Sequence, residues 1–416
     1  MYQEIKLPNG ARLLTEEVPG ARSAALGFFV GVGSRHERPE ENGAAHFIEH
    51  MLFKGTHRRS AAQLARDMDA IGGQINAYTT KEHTCFYARS LDRHLDRSLD
   101  ILSDMLFHSR FDAADTELER GVILEEIGMY EDTPEDLVSE RLSAAVYKGN
   151  PLARPILGTH SSLEKMDGSW LAHWHRSHYT PGAIVAALAG SFTPAQVEEL
   201  AACLAALEPG AAPETAPAAY RPAVTAKRKA IEQNHLILAF PSLTYLDPRR
   251  PQLMLLNSLL GGGCSSRLFQ ELREKQGLCY TVYSYVADHA DTGLLGIYSA
   301  VGKEQEKQAL ETVRAVISDL AEHGPTEEEL DRVREQAKAN LLMGSESIQA
   351  RMSQLGTSTL LYGRVRDVDE ILANYDAVTR EQLRDLAAEL FRMEQASLSA
   401  VGRVGSAADY TKWLGR

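Results

Sequence analysis

His46, Glu49 and His50 stand in the order HxxEH inside residues 43–56, GAAHFIEHMLFKGT. On an α-helix, residues four apart sit one turn along and about 40° around the axis, which points both imidazoles the same way about 6 Å apart. Two such rings can share one zinc ion. Glu49, three residues after His46, falls on the same face and is placed to activate water held at an open coordination position. The order mirrors the commoner HExxH. The remaining residues are mostly apolar (Ala44, Ala45, Phe47, Ile48, Met51, Leu52, Phe53), so the polar side chains project from a largely buried helix and need partners. The competing reading is a pair of solvated or core histidines on an amphipathic helix. A catalytic zinc takes three protein ligands and keeps a fourth position for water, and the next turn of this helix offers only Phe53 and Lys54. The third ligand must come from elsewhere in the chain.

A source for it lies in residues 117–142, ELERGVILEEIGMYEDTPEDLVSERL. Glu119 and Glu126 are seven apart, two helical turns, and share a face with Val122 and Ile123 on the turn between them. Glu125 is a rival that helix geometry alone does not exclude, and isolated glutamates on a long helix are ordinarily solvated. The cluster His173, His175 and His178, in HWHRSHYTPG, reads as a helix end before Pro181 and not as a second metal site.

These residues need a frame. At 416 residues the chain suits two domains of about 200 residues each. With 44% hydrophobic and 24% charged residues it has the composition of a globular protein. The formal charge of −13 argues against nucleic acid, whose phosphates demand a basic face, and favours cationic or neutral partners. No stretch approaches 18 consecutive apolar residues, and the first residues lack a basic region followed by an apolar run, so neither a membrane span nor a leader is expected. The four cysteines, Cys85, Cys203, Cys264 and Cys279, form no CxxC pair. That fits reduced thiols in a cytoplasm, with no disulfide and no cysteine-based zinc site.

Along the chain, Asn9-Gly10 predicts a hairpin between strands 4–7 and 11–16, followed by a β-rich run over 23–32 and the HxxEH helix. Ser60 caps a helix ending at Gly72-Gly73; a strand is expected over 74–88, a helix over 92–108, and a long helical stretch over 112–147 broken at Pro134. Short helices over 161–179, a strand over 183–189 and a helix over 194–207 complete the first half. Residues 208–224, rich in Pro and Ala, read as a linker. The order then starts again: a strand over 227–240, helices over 248–260 and 265–276, further strands, a helical run over 304–393 and a final strand over 396–401. Ser60 to Gly72 and Ser265 to Gly277 are both offsets of 12, each a helix leading through Gly into a strand. The expected architecture is α+β: two structurally related α/β-sandwich halves, residues 1–207 and 225–416, joined by the linker 208–224 as a clamshell around a central cavity.

Four motifs occur in order: HFIEHMLFKGT, IGGQINAYTTKEHTCFYA, ERGVILEEI and, in the second half, SSRLFQELREKQGLCYTVYSY. Together they resemble the pitrilysin-type zinc metallopeptidases, or inverzincins. Within that family the chain is most similar to the short-chain branch containing the mitochondrial processing peptidase β-subunit and its bacterial relatives. The similarity runs from the first hairpin to the final strand.

The resemblance implies one zinc per chain held by His46, His50 and Glu126, the last lying 76 residues after His50 as in the family. It makes Glu49 the general base, Glu119 a supporting glutamate that is not a ligand, and Arg273 and Tyr280 the pair by which the second half reaches the substrate. A phenol such as Tyr280 would stabilise an oxyanion by about 3 kcal/mol. The family's edge strand corresponds to residues 72–87, with Asn76 and Ala77 at its centre, where an extended peptide adds as another strand. Phe53 corresponds to the aromatic lining of the pocket for the residue after the cut. Asp136 and Glu140 correspond to acidic positions that read a basic residue upstream of it.

The expected activity is therefore zinc-dependent endopeptidase hydrolysis of short or unfolded polypeptides. The contrasting reading is a non-catalytic structural or peptide-binding subunit of the same fold, but family members of that kind lack HxxEH. The long Gly-rich loop of the inactive processing subunit is also missing, residues 261–263 being short. Because one chain carries both halves, a homodimer is expected over an obligate heterodimer.

Overall fold

The computed structural model describes residues 2–416. In chain order its elements are β1 (Tyr2–Lys6), β2 (Arg12–Glu17), β3 (Ser23–Val30), α1 (Ala44–Leu52), α2 (Ala61–Ala70), β4 (Gln74–Thr79), β5 (Thr84–Leu91), α3 (Leu95–His108), α4 (Ala113–Asp132), α5 (Pro134–Val146), α6 (His160–Leu163), α7 (Gly168–His178), β6 (Ile184–Gly190) and α8 (Pro194–Ala205). After an irregular stretch come β7 (Val224–Arg228), β8 (Gln233–Pro241), α9 (Arg250–Gly261), a π-helix (Phe269–Lys275), β9 (Cys279–Asp288), β10 (Gly293–Gly302), α10 (Glu306–His323), α11 (Glu327–Gly344), α12 (Ile348–Tyr362), α13 (Val368–Asp376), α14 (Arg380–Leu390), β11 (Ser397–Gly402) and α15 (Ala407–Trp413). Among the described residues no helix is long and apolar enough to cross a membrane.

The chain divides into two compact units. The first comprises Met1–Gly128, Arg154–Ala216 and Met343–Arg366, and the second Met129–Ala153, Pro217–Leu342 and Asp367–Arg416. Their sheets follow one plan. In the first the order is β1-β2-β6-β3-β5-β4, in the second β7-β11-β8-β10-β9. Setting β1 aside, the pairs match in sense as well as order: β2·β6 and β7·β11 are parallel, and every other pair in either sheet is antiparallel. The repeated offset of 12 is reflected in backbone geometry, since Gly72 and Gly277 both take positive φ, 59° and 60°. Glycine enters that region at little steric cost.

Within the first unit, alternate residues of β3 serve opposite faces of the sheet. Leu26, Phe28 and Val30 join Phe47, Ile48, Leu102 and Leu106 in the main core, while Ala25 and Phe29 face Met352 and Leu355 of α12. A strand buried on both sides reads as one apolar run, SAALGFFV, and needs a cover on each side. The second cover, α12, comes from sequence beyond the linker. It lies close because Gly356 backs onto Phe29, where a Cβ would fall 2.1 Å from the ring. Ion pairing of Arg351 with Glu16 at 2.7 Å ties the same helix to β2. The second unit mirrors this. Leu236, Leu238 and Phe240 of β8 face its main core, and Ile237 and Ala239 face Val138, Leu142 and Val146 of α5, a helix from the first half of the sequence. Each unit thus takes one helix from the opposite half of the chain.

Local readings differ at several points. The strand expected over 74–88 is a hairpin, β4 and β5, turned by Thr80, whose hydroxyl accepts from the amides of Glu82 and His83. A threonine-made turn carries none of the Gly, Pro or Asn signals that mark hairpins. The strand expected over 227–240 is two, β7 and β8, and the helix over 265–276 contains the π-helical segment. A final helix, α15, was not anticipated, although Ser406 and Asp409 form a capping box at its start. Residues 208–223 form no helix or strand. They are nonetheless tied down: Gly182 N–H donates to Gly210, Thr180 to Ala211, and Tyr220 to Ser397.

Candidate metal centre

The helix that carries HxxEH begins without a capping side chain of its own, at Gly43 with φ of 98°. Glu37 does the capping from upstream. Its carboxylate accepts from the Gly43 and Ala45 amides, both at 2.9 Å, and from Asn42 Nδ2 at 3.1 Å. Burial pushes this carboxyl up to about 7. Replacing Glu37 by alanine removes the acceptor for three buried donors at the helix N-terminus, and a loss of about 2 kcal/mol is expected in chemical denaturation. A carboxyl with a raised folded pKa contributes most below its unfolded value and loses part of that contribution as pH rises to about 7. The cost of Glu37→Ala should accordingly be larger near pH ~5 than near pH ~8.

Helix α1 buries Ala44, Ala45, Phe47, Ile48, Met51 and Leu52, which turns His46, Glu49 and His50 toward α4 and the β4 strand. Helix α4 is set in rotation by its own buried face, Thr116, Glu119, Arg120, Ile123 and Ile127. Arg120 lies 5.7 Å from the Phe47 ring centre and donates to the carbonyls of Leu163 and Met166, which locks α4 to α1. Glu126 therefore faces the histidines, and Glu125 is exposed.

The Glu126 carboxylate stands 3.7 Å from Nε2 of both His46 and His50. The ligand atoms of these three residues all lie within 4.8 Å of one another, and no other such group of His, Cys, Asp or Glu occurs among the described residues. Two donors sharing one tetrahedral zinc stand roughly 3.3 Å apart, so the trio fits the ion with small adjustment. His50 Nδ1 meets Glu119 Oε2 at 3.0 Å, and Lys54 Nζ meets Glu119 Oε1 at 2.6 Å. Donation from Nδ1 to Glu119 leaves the Nε2 lone pair directed at the centre, the arrangement that orients a metal-binding imidazole. Burial, with His50 adding to it, pushes His46 down to about 3, so its ring is neutral and free to ligate at ordinary pH.

Glu49 is not part of the trio. Burial raises its carboxyl, against the opposing effects of the Thr79 hydroxyl and His50. Thr79 Oγ1 donates to Glu49 Oε2 at 2.5 Å. Three ligands and an adjacent basic carboxylate can hold an ion, leave one position for solvent and accept a proton from it.

The other expected site residues fall as follows. Asn76 and Ala77 pair with Tyr87 and Phe86, and β4 is the last strand of its sheet, so its outer side has no strand partner among the described residues. Phe53, at the C-cap of α1, packs with Ile75 against Leu64, Ile71, Ile101 and Met105. Asp136 and Glu140 sit on α5 in the second unit. Arg273 and Tyr280 belong to the second unit too: the guanidinium lies 4.6 Å from the ring centres of both Phe269 and Tyr280, and Tyr280 is 74% exposed. In the histidine cluster His178 is stacked on Trp174 at 3.9 Å, His175 is buried against Phe111 and Tyr179, and His173 is exposed. Reasoning from sequence missed Glu37, Lys54 as the partner of Glu119, and Thr79. Lys54 alone had a local signal, standing one turn beyond His50.

Residues 12–160 match the family described as insulinase (peptidase family M16), and residues 169–337 match the peptidase M16 inactive domain. The chain is 41% identical over 397 residues to the uncharacterized zinc protease YmxG of Bacillus subtilis, with 95% of this chain and 97% of that protein covered. It is also 41% identical over 406 residues to an uncharacterized zinc protease of Streptomyces coelicolor, covering 95% and 88%. Among solved structures, a peptidase M16 inactive domain from Pseudomonas fluorescens superposes with a TM-score of 0.90 at 23% identity, covering 97% of this chain and 99% of that one. A protease from Helicobacter pylori gives 0.89 at 20% identity with the same coverage. At such identities the likeness concerns the fold, two related sheet-and-helix halves.

Proposed function

The chain belongs to peptidase family M16, the insulinase family, and from that premise we propose that it is a zinc-dependent endopeptidase acting on short or unfolded polypeptides. The observation that carries the reading is the convergence of His46, His50 and Glu126 from two helices, with Glu49 beside them outside the ligand set. Zinc bound by this trio supplies a Lewis acid that polarises the scissile carbonyl and makes a bound water acidic. Glu49 takes the proton of the attacking water and passes it to the leaving amine. Glu119 holds the His50 ring in its tautomer, and Lys54 pairs with the other Glu119 oxygen.

Substrate is held in extended form along the outer side of β4, where Asn76 and Ala77 lie. Support for this comes from the strand's terminal position in its sheet. Backbone pairing of that kind tolerates many sequences and excludes folded proteins, which offer no free strand. By their match to the family's motifs, Phe53 is assigned to the pocket for the residue after the cut, Arg273 and Tyr280 to substrate contact, and Asp136 and Glu140 to preference for a basic residue upstream. The net charge of −13 agrees with cationic peptides as substrates.

Metal removal tests the reading. Purified protein is expected to carry about one zinc per chain and to cleave internally quenched unfolded peptides. Dialysis against a chelator should remove both zinc and turnover, and stoichiometric zinc should restore them. Turnover that survives complete metal loss would end the reading.

A further inference from the structure

We propose that Thr79 is a positioning residue for Glu49, so that the strand offered to the peptide also aims the base. This rests on the peptidase reading above. Thr79 is the last residue of β4, and its hydroxyl reaches across 30 residues of sequence to Glu49 Oε2 at 2.5 Å. The proton on that hydroxyl has a defined direction. Across the hairpin Thr79 pairs with Thr84, whose own hydroxyl donates to the Val32 carbonyl at 2.8 Å and stands 3.4 Å from Thr79 Oγ1. With Thr84 spending its proton on Val32, Thr79 is left to donate to the carboxylate, an acceptor-only group when ionised.

The bond makes the two oxygens of Glu49 unequal. Oε2 is engaged, and Oε1 carries no hydrogen bond from the described residues, so Oε1 is the oxygen left to receive a proton. A glutamate without the anchor would keep its freedom about three side-chain torsions, and that freedom would have to be surrendered in each turnover. Thr84 fixes Thr79, Thr79 fixes Glu49, and the same strand presents the free backbone edge. Peptide register and base position therefore share one element.

The test compares Thr79→Val, which keeps the branched shape and removes the hydroxyl, with Thr79→Ser, which keeps the hydroxyl. Zinc content, thermal midpoint, kcat and KM are measured for both beside the wild type, using one unfolded fluorogenic peptide. Thr79→Val should lose about 10- to 100-fold in kcat, the usual weight of a hydrogen bond to a charged group. Its KM should stay within about twofold and its zinc content and midpoint near the wild type, because the hydroxyl of Thr79 bonds to Glu49 and not to the trio, and valine keeps the branched shape. Thr79→Ser should recover most of kcat. Full kcat in Thr79→Val, or a Ser variant as slow as the Val one, would overturn the assignment while chelator-sensitive turnover of the wild type left the peptidase reading standing. A wild type that cleaves nothing would overturn both.

Discussion

Glu49→Gln is expected to lose peptide hydrolysis by about 10²- to 10⁴-fold while retaining about one zinc per chain. The side chains are nearly isosteric, and the Gln carbonyl oxygen can still accept from Thr79, so the local packing survives. What disappears is basicity. An amide cannot take a proton from water or return it to an amine, and nothing else near the trio can: Glu119 is committed to His50 and Lys54, and Glu126 to the ligand set. Burial sharpens the effect, because the same desolvation that raises the Glu49 carboxyl makes it a stronger base than a solvated carboxylate. Metal analysis by mass spectrometry and turnover of a quenched peptide decide the matter together. A Gln variant that keeps both zinc and turnover would show that another group takes the proton. One that loses both would make Glu49 a ligand.

How much of this was legible in the sequence follows from the range over which each feature is encoded. The HxxEH face is set by the period of a single helix, and β3 by one continuous apolar run of eight residues, so both can be read locally. The duplication is legible in the paired offset of 12, because glycine at positive φ leaves a mark in the sequence. The choice between Glu125 and Glu126 is not local. It depends on the rotation of α4, which is fixed by Arg120 against Phe47 and by carbonyls more than 40 residues away. The exchange of α5 and α12 between units is hidden for a similar reason. Nothing within α12 names the sheet it covers; Gly356 gains meaning only beside Phe29. Thr79 carried no chemical signal at all until its hydroxyl was seen against Glu49.

Removing the third ligand separates the metal trio from everything around it. Glu126→Ala is expected to weaken zinc binding by more than ~100-fold, beyond the 10- to 100-fold that loss of an outer partner typically costs. Glu125→Ala should leave affinity unchanged, since Glu125 is exposed and outside the converging group. The two positions are neighbours with the same charge, so any effect of net charge or helix propensity is shared and cancels in the comparison. Glu126 is itself partly exposed and lies 3.7 Å from the His46 and His50 rings, the first held neutral by burial, so its truncation should scarcely alter the metal-free fold. The thermal midpoint in chelator should then be the same for wild type and both variants. Added zinc at about 100 times the dissociation constant stabilises a folded chain by about 2.7 kcal/mol, and that rise should appear in the wild type and Glu125→Ala but not in Glu126→Ala at the same zinc concentration. Equal zinc-induced stabilisation in all three would mean that the carboxylate facing His46 and His50 is a neighbour of the ion and not one of its ligands.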